Sequence, residues 1–142
     1  MEEQKAYPNI NQFNPSECIS GKMMRCNRIV ANVFRKHLMQ FNITDSQLSI
    51  IFIISKVKNS NQKKISEILY LEKSTVNRNI NRLLKNSIIE YDARKELLLT
   101  NQGKTLLNNV IPYWEKAMKE IKDILDKEGE NALNLLTKHL TN

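Results

Sequence analysis

The sequence predicts a mainly α fold with one small β hairpin. Three observations carry this. Gly and Pro number three each, too few for a turn-rich β architecture. Apolar residues recur every three to four positions through most of the 142 residues, the spacing of one helix face. Two short stretches, Ser87–Tyr91 and Glu96–Thr100, read as strands, with the polar Asp92-Ala-Arg-Lys between them as the hairpin tip. The length suits one domain with a core large enough to fold unaided.

Each element has its own signal. Residues 1–18 hold Pro8, Pro15 and several Asn without any period, which predicts an irregular arm. Residues 19–41 carry an apolar stripe at positions 19, 23, 26, 30, 33, 34, 37 (a histidine) and 41, predicting a long first helix. Thr44 stands three residues before Gln47, a capping-box pattern that opens a second helix running to about Val57. Its Leu48-Ser-Ile-Ile-Phe-Ile-Ile run is apolar almost all round and marks the buried centre. A short third helix, about 63–70, is expected to bury Ile65, Ile68 and Leu69, and a fourth runs from 73 to about 86. After the hairpin, a long helix from about 102 to 127 contains Pro112, which predicts a kink there. Gly129 then breaks the pattern before a final amphipathic helix at 130–140. The predicted order is α-α-α-α-β-β-α-α.

The 22 Lys and Arg outnumber 15 Asp and Glu, and the excess is uneven. Residues 1–59 carry eight basic and four acidic side chains, and 60–104 carry nine and five, whereas 105–142 carry five and six. This asymmetry suggests a polyanionic partner for the N-terminal and middle chain and a different task for the tail. No apolar run of 18 residues exists and the start is acidic and polar, so a membrane partner is not expected and the chain reads as cytoplasmic. The two cysteines cannot make a disulfide framework. His37 and His139 lie far apart with no metal-ligand spacing, so no metal and no cofactor is expected. No phosphate-binding glycine loop or nucleophile elbow is present, which argues against an enzyme.

The third and fourth predicted helices, joined by a turn of three to four residues, form a helix-turn-helix candidate. On the fourth, Val76, Ile80, Leu83 and Leu84 cluster on one face. The opposite face presents Ser74, Arg78, Arg82 and Lys85, flanked by Thr75, Asn77 and Asn81, and no acidic residue lies between Lys73 and Ile89. Arginine can grip guanine edges, asparagine can pair with adenine, and hydroxyls reach phosphates, so this face suits the major groove of duplex DNA. The plainer reading is a solvated outer face, but such faces usually mix charge signs. The hairpin tip carries Arg94 and Lys95, placed to reach the adjacent minor groove or backbone. A basic turn that is merely solvated is the competing reading.

The stretch Leu71-Glu-Lys-Ser-Thr-Val-Asn-Arg-Asn-Ile-Asn-Arg-Leu-Leu-Lys-Asn-Ser-Ile-Ile-Glu, followed by Leu97-Leu-Leu-Thr-Asn-Gln-Gly, resembles the core of the MarR family of winged helix-turn-helix transcriptional regulators. The resemblance implies a DNA-binding lobe at about 44–100 within a single domain of residues 19–142. It also implies a homodimer whose dimerisation lobe comprises helices at about 19–41 and 102–140. Apolar residues such as Ile111, Leu125, Leu133, Leu136 and Leu140 agree, being more than one small domain needs.

The family's DNA-reading positions fall on Ser74, Thr75, Asn77 and Arg78, with Arg82 near phosphates, and its wing arginine falls on Arg94, paired with Asp92. Two departures stand out. Ser87 occupies the place of a usual Gly, and only Tyr91 to Lys95 separate the strands, a shorter wing than is typical. The implied function is sequence-specific binding of an inverted repeat in double-stranded DNA, usually as a repressor relieved by a small-molecule effector. The alternative is a winged-helix module that docks a protein instead.

Some members of the family respond to cysteine oxidation, and Cys18 and Cys26 lie near that N-terminal position, beside Lys22, Arg25 and Arg28. Eight helical residues separate them by about 12 Å, beyond disulfide reach unless the helix start unwinds. An inert thiol is the favoured reading. Tyr113 and Trp114 are candidates for an effector pocket, though aromatics on such a helix are more often core.

Overall fold

A computed structural model describes residues 6–141 of the protein. Six helices and one hairpin follow in the order α1 (Pro8–Gln12), α2 (Ile19–Leu38), α3 (Asp45–Lys56), α4 (Gln62–Leu69), α5 (Lys73–Lys85), β1 (Ile89–Tyr91), β2 (Leu97–Leu99) and α6 (Asn101–Leu140). Short 3-10 turns at Pro15–Glu17 and Met39–Phe41 precede and follow α2. This is the mainly α fold with a β wing that the sequence predicts.

The core forms around α3. Thr44 Oγ1 accepts from Gln47 N at 3.2 Å and the Gln47 side chain accepts from Thr44 N at 3.2 Å, closing the expected capping box. Ile50, Ile51, Ile53 and Ile54 are buried against Ile65 of α4, Val76, Ile80 and Leu83 of α5, and Ile89 and Leu97 of the hairpin. Full burial of an isoleucine contributes about 1.5–3 kcal/mol, so this shared cluster fixes α4, α5 and the wing as one lobe. The strands pair antiparallel, Ile89 opposite Leu99 and Tyr91 opposite Leu97. Leu97 N also donates to Ser60 O at 2.9 Å, which ties β2 to the loop before α4. Ile68 departs from expectation. It is 45% exposed, while Ile65 and Leu69, one turn apart, occupy the face of α4 that meets the core.

Between α5 and β1 the chain turns through a Schellman motif. Ile88 N donates to Leu83 O at 3.0 Å, Ser87 N donates to Leu84 O at 3.1 Å, and Leu83 and Ile88 are both buried. Ser87 adopts φ 60, the left-handed conformation that glycine accepts without a Cβ penalty. Ser87→Gly is therefore expected to raise the free energy of unfolding by about 1 kcal/mol, because the relief at the turn outweighs glycine's extra unfolded-state entropy. A chemical denaturation midpoint at or below that of the parent would contradict this.

The arm contains more structure than its composition suggests. Pro8 starts the one-turn α1, its fixed φ suiting a first helical position, yet every residue from Ala6 to Ser20 is exposed. Residues 1–5 of the predicted arm lie outside the described residues.

The break in the C-terminal region also moves. The chain passes Pro112 without leaving helical dihedrals, and the only non-helical residue inside α6 is Asp126, at φ 53 and ψ −170. Asp126 Oδ1 accepts from Glu128 N at 2.9 Å and Gly129 N at 3.2 Å, so it caps the segment that follows. Gly129 thus lies inside the final helical segment instead of terminating the long one. Its lack of a side chain matters, since a Cβ there would come within 3.0 Å of the Leu125 Cβ across the break.

α6 crosses α2 over a second cluster built on Leu38, Leu48 and Val110. Tyr113 and Trp114 belong to this packing, edge-on to Phe41 at 5.3 Å and Phe52 at 5.6 Å between ring centroids. At the same crossing the Glu120 carboxylate meets Lys36 Nζ at 2.6 Å and His37 Nε2 at 3.0 Å. The hydrogen bond from Lys36, then that from His37, holds the Glu120 carboxyl below its ordinary value. A carboxyl depressed in the fold stabilises above its unfolded-state pKa, and that contribution fades as pH falls through the depressed value. The melting temperature of Glu120→Gln is thus expected to lie below the parent's at neutral pH and to converge on it in acid. A gap that widens in acid would contradict this.

Candidate nucleic-acid interface

The face of α5 away from the core is built by its own periodicity. Val76, Ile80 and Leu83 are 0–2% exposed, which forces Ser74, Asn77, Arg78, Asn81, Arg82 and Lys85 to the surface. Thr75 is half-buried at the edge of the face. Asn79 is turned inward, its Nδ2 donating to Thr75 O at 3.0 Å. Arg78, Arg82 and Lys85 have no carboxylate within 4.0 Å among the described residues, where every ion pair involves α2 or α6. The face is therefore purely cationic and polar.

The start of α5 adds to this. Glu72 occupies the N-cap position without a side-chain hydrogen bond, so the first amide N–H groups of α5 have no side-chain cap. The turn before it is held from within. Tyr70 takes φ 54, Leu71 N donates to Ser66 O at 3.3 Å, Ser66 Oγ donates to Leu71 O, and Gln62 Nε2 donates to Lys73 O at 3.2 Å. These bonds fix α5 relative to α4. An uncapped, rigidly held helix N-terminus beside arginines can bind phosphate.

At the wing tip Asp92 Oδ1 accepts from Arg94 N at 2.8 Å and Glu96 N at 2.9 Å, and Lys95 takes φ 61. Asp92 thus shapes the turn through backbone amides, in place of the expected pairing with the Arg94 side chain. A carboxylate that accepts from the amide two residues on closes an Asx turn. Arg94 and Lys95 are both exposed. Ser60 and Asn59 support the wing from below. Ser60 is 1% exposed with its hydroxyl donating to Val57 O at 2.7 Å, and the exposed Asn59, with its amide turned so that Nδ2 donates, lies 3.0 Å from the Glu96 carboxylate. Neither role has a sequence signal, because a polar residue in a polar loop gives no hint of its partner.

Other predicted candidates lie apart from this face. Cys18 and Cys26 are exposed free thiols, Cys18 capping α2 with its Sγ accepting from Gly21 N at 3.4 Å. No group of three or more metal-ligating side chains occurs among the described residues. None of the described helices is long and apolar enough to cross a membrane.

Residues 43–95 match the model of the MarR family, which bears out the resemblance seen in the sequence. The fold is shared with many solved structures. A MarR/EmrR family transcriptional regulator from Acinetobacter sp. ADP1 superposes with a TM-score of 0.77 at 23% identity, over 90% of this chain and 95% of that one. The transcriptional repressor CouR, bound to p-coumaroyl-CoA, gives 0.81 at 16% identity, over 89% and 94%. Bordetella bronchiseptica BpsR, whose DNA binding is regulated by 6-hydroxynicotinic acid, gives 0.76 at 18% identity, over 90% and 97%. No curated protein matches the sequence.

Proposed function

We propose that this chain, with its MarR-family segment at residues 43–95, is a dimeric transcriptional regulator that reads an inverted repeat in duplex DNA. The observation that carries this reading is the outer face of α5, a buried-backed helix presenting Arg78, Arg82 and Lys85 with no acidic neighbour. In this proposal Ser74, Thr75, Asn77, Arg78 and Asn81 meet base edges. Arg82 and Lys85 meet phosphates, and Arg94 and Lys95 follow the neighbouring backbone or minor groove. The protein-docking alternative is disfavoured by the same face. No large hydrophobic side chain between Lys73 and Ser87 is exposed, whereas docking surfaces rely on apolar anchors.

Residues 44–100 would form the DNA-binding lobe, with α2 and α6 building the dimer. Every residue from Asn131 to Leu140 is exposed in one protomer, including Leu133, Leu135, Leu136 and Leu140 at 43–60%. A second copy is the simplest cover for such a segment. Repression relieved by a small effector completes the proposal, in keeping with the ligand named for CouR.

The test is selection of bound fragments from a random duplex pool at physiological salt. Enrichment of an inverted repeat with half-sites about 10 bp apart is expected. Failure to enrich any sequence over random duplex would overturn the reading.

A further inference from the structure

Beside the start of the cationic face of α5 stands one carboxylate. No acidic residue occurs from Lys73 to Ile89, and Glu72 immediately precedes that stretch at the N-cap position. Its side chain is exposed and makes no capping hydrogen bond. It also enters no ion pair among the described residues, although Lys73 is its neighbour in sequence.

The main chain that carries Glu72 is pinned on both sides. Leu71 O accepts from Ser66 Oγ, and Lys73 O accepts from Gln62 Nε2 at 3.2 Å, so α4 holds the residues before and after it. Leu71 also packs against the core, and Glu72 O accepts from Val76 N at 3.1 Å. An unpaired carboxylate thus sits on a rigid base, directly before the helix whose outer face carries Ser74, Asn77 and Arg78.

Duplex DNA repels such a group at nearly every point. The phosphates are anionic, and in the major groove guanine N7 and O6, adenine N7 and thymine O4 are all acceptors. Adenine N6 donates, but beside the N7 acceptor of the same base, whereas cytosine offers its N4 donor with no acceptor of its own there. The first residues of a recognition helix are the ones that reach base edges. We infer that Glu72 is a specificity-determining residue, accepting from the N4 amino group of one cytosine in each half-site. Any other base at that position leaves the carboxylate desolvated and unpaired, which is how it discriminates. The inference rests on the DNA reading proposed above.

The experiment selects fragments from a random duplex pool with the full-length parent, Glu72→Ala, Glu72→Gln and Glu67→Ala, and then measures binding to the parent's operator and to random duplex. Glu67 is exposed on α4, so its variant removes the same charge away from α5. Parental half-sites are expected to share one cytosine position that becomes degenerate in Glu72→Ala. The preference of Glu72→Ala for operator over random duplex should fall about tenfold. Glu72→Gln, whose amide both donates and accepts, should shift that position towards adenine. Glu67→Ala should keep every parental base preference.

A carboxylate that only complements the dipole of α5 would behave differently, since its removal would lower the melting temperature and leave base preference intact. Unchanged base preference in Glu72→Ala, with or without a loss of stability, would overturn the assignment. So would an equal loss of preference in Glu67→Ala. A parent that enriches no sequence at all would overturn the DNA reading, and this inference with it.

Discussion

Gly103→Ala is expected to lower the free energy of unfolding by about 3 kcal/mol, the upper end for overpacking, because the obstacle is backbone. A Cβ on Gly103 would fall on the carbonyl oxygen of Ile88, with the carbonyl carbon 3.0 Å away. That carbonyl already accepts from Thr100 N and Thr100 Oγ1, each at 3.1 Å, and Thr100 Oγ1 accepts from Gly103 N at 2.9 Å. The oxygen cannot yield without breaking the joint between β1, β2 and α6. The Leu-Thr-x-x-Gly sequence at 99–103 thus reads as a structural clasp, with Thr100 capping α6 and Gly103 admitting the strand. Gly129→Ala is the contrast, since its Cβ would come no closer than 3.0 Å to any neighbour, at the Leu125 Cβ, and the gain in helix propensity offsets part of the strain. Denaturant titration of both variants checks this. A Gly103→Ala change within about 0.5 kcal/mol of the parent would contradict the clasp.

Deletion of residues 127–142 is expected to convert a dimer into a monomer and to lower affinity for the inverted repeat by roughly 10²–10⁴-fold. The loss follows from geometry. One protomer carries one α5, so two half-sites are engaged together only while the subunits are joined. The deleted segment supplies the leucines 133, 135, 136 and 140, which are 43–60% exposed in one protomer. Ile19, Met23, Met24 and Ile29 on α2 are likewise 40–74% exposed and offer the matching surface. Sedimentation of the parent and the deletion at micromolar concentration decides the matter. A well-folded monomeric parent, or a deletion that remains dimeric, would contradict it.

Much of the fold was legible because its signals are local. The Thr44–Gln47 box, the apolar run of α3 and the two-faced α5 each follow from spacing alone. Ser87 showed as an anomaly in sequence and is one in structure, holding a glycine-like φ. The failures share a cause, which is that tertiary contacts chose among locally equal options. Gly129 reads as a helix end, yet Asp126 makes the break by capping with its side chain, and glycine serves there as a spacer for Leu125. Ile68 has the right spacing for burial but lies beyond the reach of the core. In the candidate interface the exposed cations were readable from the pattern of α5. The buried Ser60 and Asn79 and the exposed Asn59 were not, because such polar residues are recognised only through their partners.

The central claim is that α5 reads bases, and Arg78 is its most direct test. The side chain is exposed on the face opposite Val76 and Ile80, so Arg78→Ala should leave stability within about 0.5 kcal/mol of the parent. The decisive measurement compares binding of the parent, Arg78→Ala and Lys85→Ala to the selected operator and to random duplex at several salt concentrations. Arg78→Ala is expected to lose about 1–3 kcal/mol on the operator and far less on random duplex, with relaxed preference at one position. Lys85→Ala should weaken both duplexes alike and flatten the salt dependence. Operator binding by Arg78→Ala equal to that of the parent would contradict base reading through this helix.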